Sequence, residues 1–235
     1  MFNKVKNSVL IVLSLSLMIP FTAFAGVIDD FQAGEYNLGR EGTPMPYTVT
    51  YTENSTFDHI IGGQRDVSFY KTSGSTTQPY LNQNPTGWGG ITGISSYNSA
   101  FSCSGQWTQT YGATQDLNAD LSQDNGTALL LEIVGGDMGG PNPRPVPFTF
   151  TLTSGSGTAT ASTTIEVIEN QIYTIPFTLF AGVDMTDVDQ ITFMMEQDSA
   201  INDAIDFGVG FFGTDSSQTV ATEESSFGSL KALYR

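Results

Sequence analysis

The stretch "VPFTFTLTSGSGTATASTTIEV", residues 146–167, decides the fold class. Val146, Phe148, Phe150 and Leu152 alternate with Thr149, Thr151 and Thr153. A period of two with one apolar and one β-branched polar face predicts a half-buried antiparallel strand. "SGSG" at 154–157 turns the chain, and Ala159, Ala161, Thr163, Ile165 and Val167 return on one face. This is a β-hairpin.

The same alternation extends outward in both directions. Strands are expected at "GVIDDF" (26–31), "PYTVTYT" (46–52), "RDVSFYK" (65–71), "ALLLEIV" (128–134), "QIYTIPF" (171–177), "ITFMME" (191–196) and "IDFGVGFF" (205–212), with a last one within "SFGSLKALYR". Almost nothing in the mature chain reads as helix. About ten short strands with Gly-rich turns predict an all-β fold, a two-sheet antiparallel sandwich of jelly-roll type, with a closed barrel as the alternative. Residues 72–127 are richer in Gly, Ser, Gln and Asn and hold both tryptophans, Trp88 and Trp107. Long structureless loops are uncommon in compact domains, so two or three weak strands are expected there.

The N-terminus reads as an export signal. Lys4 and Lys6 precede the apolar run "SVLIVLSLSLMIPFTAFA", and Ala23-Phe24-Ala25 sets small residues at the cleavage positions. Residues 1–25 are therefore expected to be a secretory signal peptide cut before Gly26, leaving 26–235 as one domain. The rival reading, a retained anchor, suffers from a short apolar core broken by Pro20. The mature chain sets 6 Lys and Arg against 24 Asp and Glu, a formal charge of −18. Such a chain repels nucleic acid and anionic membrane surfaces and suits cations or neutral sugars. Cys103 is the only cysteine, so no internal disulfide forms, and burial is its expected fate.

Two Asp-rich stretches raise the question of metal. Asp116, Asn118 and Asp120 have the one-three-five spacing of a calcium loop, but Leu121 and Thr127 stand where an EF-hand needs Gly and Glu. In "FAGVDMTDVDQITF" (180–193), Asp184 is the candidate ligand and Asp187 the candidate cap of a short turn. For both stretches turn formation is the simpler reading, with calcium as the alternative.

Catalysis has little to stand on. His59 is the only histidine and no G-x-S-x-G appears, which removes His-based zinc sites and points away from nucleophile triads. His59 is expected at a strand edge, with Gly62 and Gly63 turning the chain. Glu132 and Glu166 are the carboxylate pair to inspect for glycoside chemistry, solvent-facing positions being the simpler reading.

"GVIDDFQAGEYNL", "IIGGQRDVSF", "DLNADLS" and "FAGVDMTDVDQITF", in that order, resemble exported bacterial β-sandwich proteins of the kind that often carry a PEP-CTERM sorting tail. The resemblance implies a scaffold at the cell surface or in extracellular polymer. The tail itself is missing from "SSFGSLKALYR", so a secreted or periplasmic protein is expected. The "IDDF" opening also resembles galactose-binding-like modules. That likeness implies a non-catalytic binding module for carbohydrate or cell-surface polymer, in which Trp88, Trp107, Tyr97 and Tyr80 stack on sugar rings beside Asn and Gln. The alternative for those tryptophans is core packing. Two other functions stay open: a structural or adhesive matrix protein, and a glycoside-active enzyme.

Overall fold

A computed structural model describes residues 26–39, 45–56, 59–74, 79–84, 93–100, 102–137, 145–165, 171–198 and 204–216. The signal peptide, Trp88, Glu166 and the strand expected near the C-terminus lie outside the described residues. Among the described residues no helix is long and apolar enough to cross a membrane.

Among the described residues thirteen strands form: β1 (Val27–Asp29), β2 (Tyr36–Leu38), β3 (Tyr47–Asn54), β4 (Gln64–Ser73), β5 (Tyr80–Asn84), β6 (Ile94–Asn98), β7 (Ser104–Tyr111), β8 (Ala128–Asp137), β9 (Val146–Ser154), β10 (Gly157–Ile165), β11 (Gln171–Pro176), β12 (Val188–Gln197) and β13 (Asp206–Thr214). Sheet A runs β11-β8-β13-β6-β5-β2, with β1 beside the second half of β13; sheet B runs β10-β9-β12-β7-β4-β3. Every strand pair is antiparallel.

The chain changes sheet at β2→β3, β4→β5, β6→β7, β7→β8, β8→β9, β10→β11, β11→β12 and β12→β13. All of these crossings except β7→β8 and β11→β12 join strands holding the same place in the two orders. That alternation between facing sheets is the jelly-roll pattern. Residues 72–127 supply β5, β6 and β7, the three strands that polar composition obscured.

The core lies between the sheets and is aromatic. Phe148, Phe150, Phe193, Phe207, Phe212 and Trp107 are buried. They meet at ring-centre distances of 5.1–6.4 Å, several edge-to-face. Edge-to-face contact sets the positive rim of one ring on the negative face of the next. Cys103 is buried, as its small apolar character predicts.

One end of the core is ionic. Asp29 of β1 and Arg65 of β4 are both wholly buried and meet at 2.5 Å. Asp29 Oδ2 also accepts from Tyr111 Oη at 2.8 Å and Gln109 Nε2 at 3.2 Å, and Oδ1 accepts from Phe31 N at 2.8 Å. Arg65 Nη2 donates to Ala33 O at 2.7 Å, and the guanidinium lies over the rings of Phe31 and Tyr36. Gln83 Nε2 reaches the carbonyls of Phe31, Ala33 and Gly34. The first acid of "IDDF" thus ties the N-terminal segment into both sheets. Arg65 pairs across the interior, whereas its neighbour Asp66 accepts a surface hydrogen bond from Thr52 at 2.5 Å.

Candidate functional site

Of the aromatic residues expected to stack on sugar, Trp107 and Tyr97 lie in the core, Tyr80 lies on an outer face, and Trp88 is outside the described residues. Trp107 and Tyr97 are wholly buried. On β7, "SGQWTQTY" alternates so that Gly105, Trp107, Gln109 and Tyr111 face inward while Ser104, Gln106, Thr108 and Thr110 face out. Trp107 packs on Phe193 at 5.1 Å and Phe207 at 6.2 Å. Tyr97 donates its hydroxyl to Gln197 Oε1 at 2.6 Å between Phe69 and Phe207, and burial pushes its phenol well above the usual value. Neither offers a face to a ligand. Tyr80 is half-buried on the outer face of sheet A, opposite Asn98.

The Asp-rich stretches bind each other. Leu117 N and Ala119 N donate to Asp189 O and Val188 O at 2.9 Å, Leu121 N donates to Met185 O at 2.8 Å, and Val188 N returns to Ala119 O at 2.8 Å. Asp120 Oδ1 accepts from Ser122 N and Oγ at 2.9 and 2.7 Å; Asp184 Oδ1 accepts from Thr186 N and Oγ1 at the same two distances. These are two Asx turns with the same D-x-S/T sequence. The cap at 184–187 is thus Asp184, not Asp187. The Thr186 hydrogen bonds hold the Asp184 carboxyl below its ordinary range.

Asp116 and Asn118 are exposed, and Asn118 Nδ2 turns back to Asp116 O at 3.1 Å. Burial, then the charges of Asp116 and Asp187, push Asp189 up. Among the described residues no three His, Cys, Asp or Glu side chains are grouped as a metal site. His59 sits in a turn, not a strand, with Nδ1 2.7 Å from Asp30 Oδ2. Gly62 and Gly63 have φ of 69° and 71°, the left-handed turn that two glycines permit.

The outer face of sheet B is the feature that sequence reading missed. Strand register aligns Thr52, Asp66, Thr110, Thr192, Thr151 and Thr160 in one row, and Thr50, Ser68, Thr108, Met194, Thr149 and Ser162 in the next. All but Asp66 and Met194 carry a hydroxyl, and none is fully buried. Neighbours in a row are about 4.8 Å apart, and the hydroxyls pair: Thr151 with Thr160 at 3.0 Å, Thr149 with Ser162 at 3.2 Å, Thr192 with Thr110 at 3.3 Å.

A shallow depression crosses this face, lined by Thr50, Thr52, Asp66, Ser68, Thr108 and Thr110. Tyr70, 37% exposed, stands one step along β4 beside it, between Thr48 and Gln106 in register, with Glu196 beyond Gln106. The signal was present in "RDVSFYK": if Phe69 faces in, Tyr70 faces out. The alternation also turns Lys71 inward, where Nζ donates to Gly39 O at 2.9 Å. Arg65 and Lys71 are the Arg and Lys side chains among the described residues, and both are wholly buried.

Glu132 occupies the outer face of sheet A between Ile172 and Phe211 in register, half-buried. Burial pushes its carboxyl up. A raised acid stabilises the fold fully below its unfolded value, and that contribution is lost as pH rises through the folded one. Glu132→Gln is therefore expected to raise the melting temperature at neutral pH, with the gain vanishing below about pH 4. Thermal melts of both forms across that range check the expectation.

No protein-family model matches the chain, and no curated protein matches it significantly. Among solved structures it is similar to the family 11 carbohydrate-binding module from Clostridium thermocellum in complex with a β-1,3-1,4-mixed-linked tetrasaccharide, at 17% identity over 77% of this chain and 95% of that one, TM-score 0.32. It is also similar to the solution structure of CtCBM11, at 18% identity over 84% and 97% of the two chains, TM-score 0.36. A third likeness is to the enzymatically active domain of bacteriophage CBA120 tailspike protein 4, at 11% identity over 80% of this chain and 20% of that one, TM-score 0.28. At these identities and scores the likenesses carry no argument about what this chain binds.

Proposed function

We propose that this is an exported, non-catalytic module that binds neutral polysaccharide on the outer face of sheet B. The observation that supports it is Tyr70, an exposed aromatic ring at the border of an ordered field of Thr and Ser hydroxyls, beside Gln106 and Glu196. A sugar ring stacks its C–H face on the phenol ring, and its hydroxyls exchange hydrogen bonds with the amide, carboxylate and threonine side chains. The rows of paired hydroxyls are already ordered by the sheet, so little side-chain entropy is lost on binding. Charge selects the polymer: the described outer face of sheet B carries Asp66 and Glu196 and no Lys or Arg, which disfavours a uronate or sulfate chain.

Affinity electrophoresis through gels containing neutral or anionic polysaccharides tests this. The protein is expected to be retarded by a neutral polymer and not by an anionic one. Tyr70→Ala is expected to weaken that binding tenfold or more, the loss of about 1–2 kcal/mol typical of an anchor residue, while the melting temperature holds. Free migration in every gel, or equal retardation of the variant, would refute the reading. A second reading, matrix assembly, is favoured by a different observation on the opposite border of the same sheet.

A further inference from the structure

Sheet B ends at β10, whose register with β9 is unbroken from Gly157↔Ser154 to Ile165↔Val146. The two-residue turn closes on Ser154 and Gly157, so odd-numbered residues of β10 bond to β9. The N–H and C=O groups of Thr158, Thr160, Ser162 and Thr164 therefore point out of the sheet. The side-chain hydroxyl pairs Thr153–Thr158, Thr151–Thr160 and Thr149–Ser162 agree with that phase, because side chains approach most closely at the non-bonded pairs.

Natural sheets guard such edges with lysine, proline, a bulge or a short strand. β10 has none of these in nine residues. Its surroundings are equally unguarded. No charged residue occurs in the described segments 145–165 and 171–183, although the chain carries 24 acids. β11, the matching edge of sheet A, lies here with Ile172 47% exposed, and Leu179, 54% exposed, follows in the turn packed beside β10.

We propose that β10 pairs antiparallel with β10 of a second copy of this chain, joining two six-stranded sheets across a two-fold axis. Charge selects this occupant. Residues 26–235 carry a formal charge of −18, which sets two copies against each other, and the described residues of β10 and β11 add no charge to that repulsion. An antiparallel edge is also self-complementary, so one surface serves both partners. The proposal does not rest on carbohydrate binding, and the joined sheets would present two sugar-binding faces as one.

Light scattering after size exclusion, on the wild-type protein from low to high micromolar concentration, reads the association directly. The mass is expected to double with concentration, and the amides of Thr158, Thr160, Ser162 and Thr164 to exchange more slowly in the concentrated sample. Thr160→Pro removes an outward N–H without touching a bond to β9 and is expected to stay monomeric. If that variant loses its cooperative melt, the Thr158→Glu/Ser162→Glu double variant decides, since its four carboxylates crowd one interface and should weaken association more than tenfold. A wild-type monomer throughout, or a dimer that persists unchanged in the folded variants, overturns the proposal.

Discussion

Asp29→Ala is expected to lower the unfolding free energy by about 3–5 kcal/mol, the cost of leaving a buried charge without its partner. Arg65 is wholly buried; with the carboxylate gone, its guanidinium keeps the Ala33 carbonyl and the faces of Phe31 and Tyr36 but no counter-charge. Burial pushes the Asp29 carboxyl up against the pull of Arg65 and its hydrogen bonds, while the negative charge of Asp29 holds the guanidinium raised despite its own burial. These directions pull on the same proton, and the geometry decides between them. Asp29 receives donors from Phe31, Arg65, Gln109 and Tyr111, an arrangement built for a carboxylate at neutral pH. Asp29→Asn is therefore no rescue, since an amide N–H would face donors. The Asp29→Ala/Arg65→Met double variant is expected to cost less than the sum of the two single changes. Urea unfolding of the four proteins measures the coupling. An Asp29→Ala variant within 1 kcal/mol of wild type, or additive single changes, would show that the pair is not what holds the N-terminal segment.

The fold class was legible because alternation survives any composition. In 146–165 both the strands and their two-residue turn are spelled out locally, and the structure places them where the period predicts. The same rule read on β4 gives the right answer for an improbable set. It sends Arg65 and Lys71 inward with Val67 and Phe69, and chemical intuition resists that because isolated buried charges are costly. What the period could not supply was the partner. Asp29 stands 36 positions before Arg65, and Gln109 and Tyr111 stand 80 and 82 after Asp29. Long-range register brings them together, and no local pattern encodes it. The Asp-rich stretches were the reverse case. Their D-x-S/T turns are local and legible, but their mutual pairing made a brace out of what resembled ligand loops. Tyr70 carries no such local mark: it sits inside an ordinary alternating strand, whereas both tryptophans stand out in the polar stretch 72–127.

Trp107→Ala is expected to cost about 3–5 kcal/mol, roughly 6–20 °C in melting temperature for a domain of this size. The residue is wholly buried at the middle of β7, paired with Phe69 on one side and Met195 on the other, and its ring packs on Phe193 and Phe207. Facing strands of a sandwich cannot slide inward to fill the space, because each is fixed by hydrogen bonds to its own sheet. The ring nitrogen has no hydrogen-bond partner among the described residues, so Trp107→Phe keeps most of the packing and sheds a buried donor. It is expected to cost clearly less than the alanine change. The comparison also separates core from binding face. If Trp107 stacked on sugar, the alanine variant would lose binding and keep its melt. In this fold it loses its melt, whereas Tyr70→Ala keeps its melt and loses binding. Thermal melts and gel retardation of the two variants, read side by side, show which tyrosine or tryptophan faces the ligand.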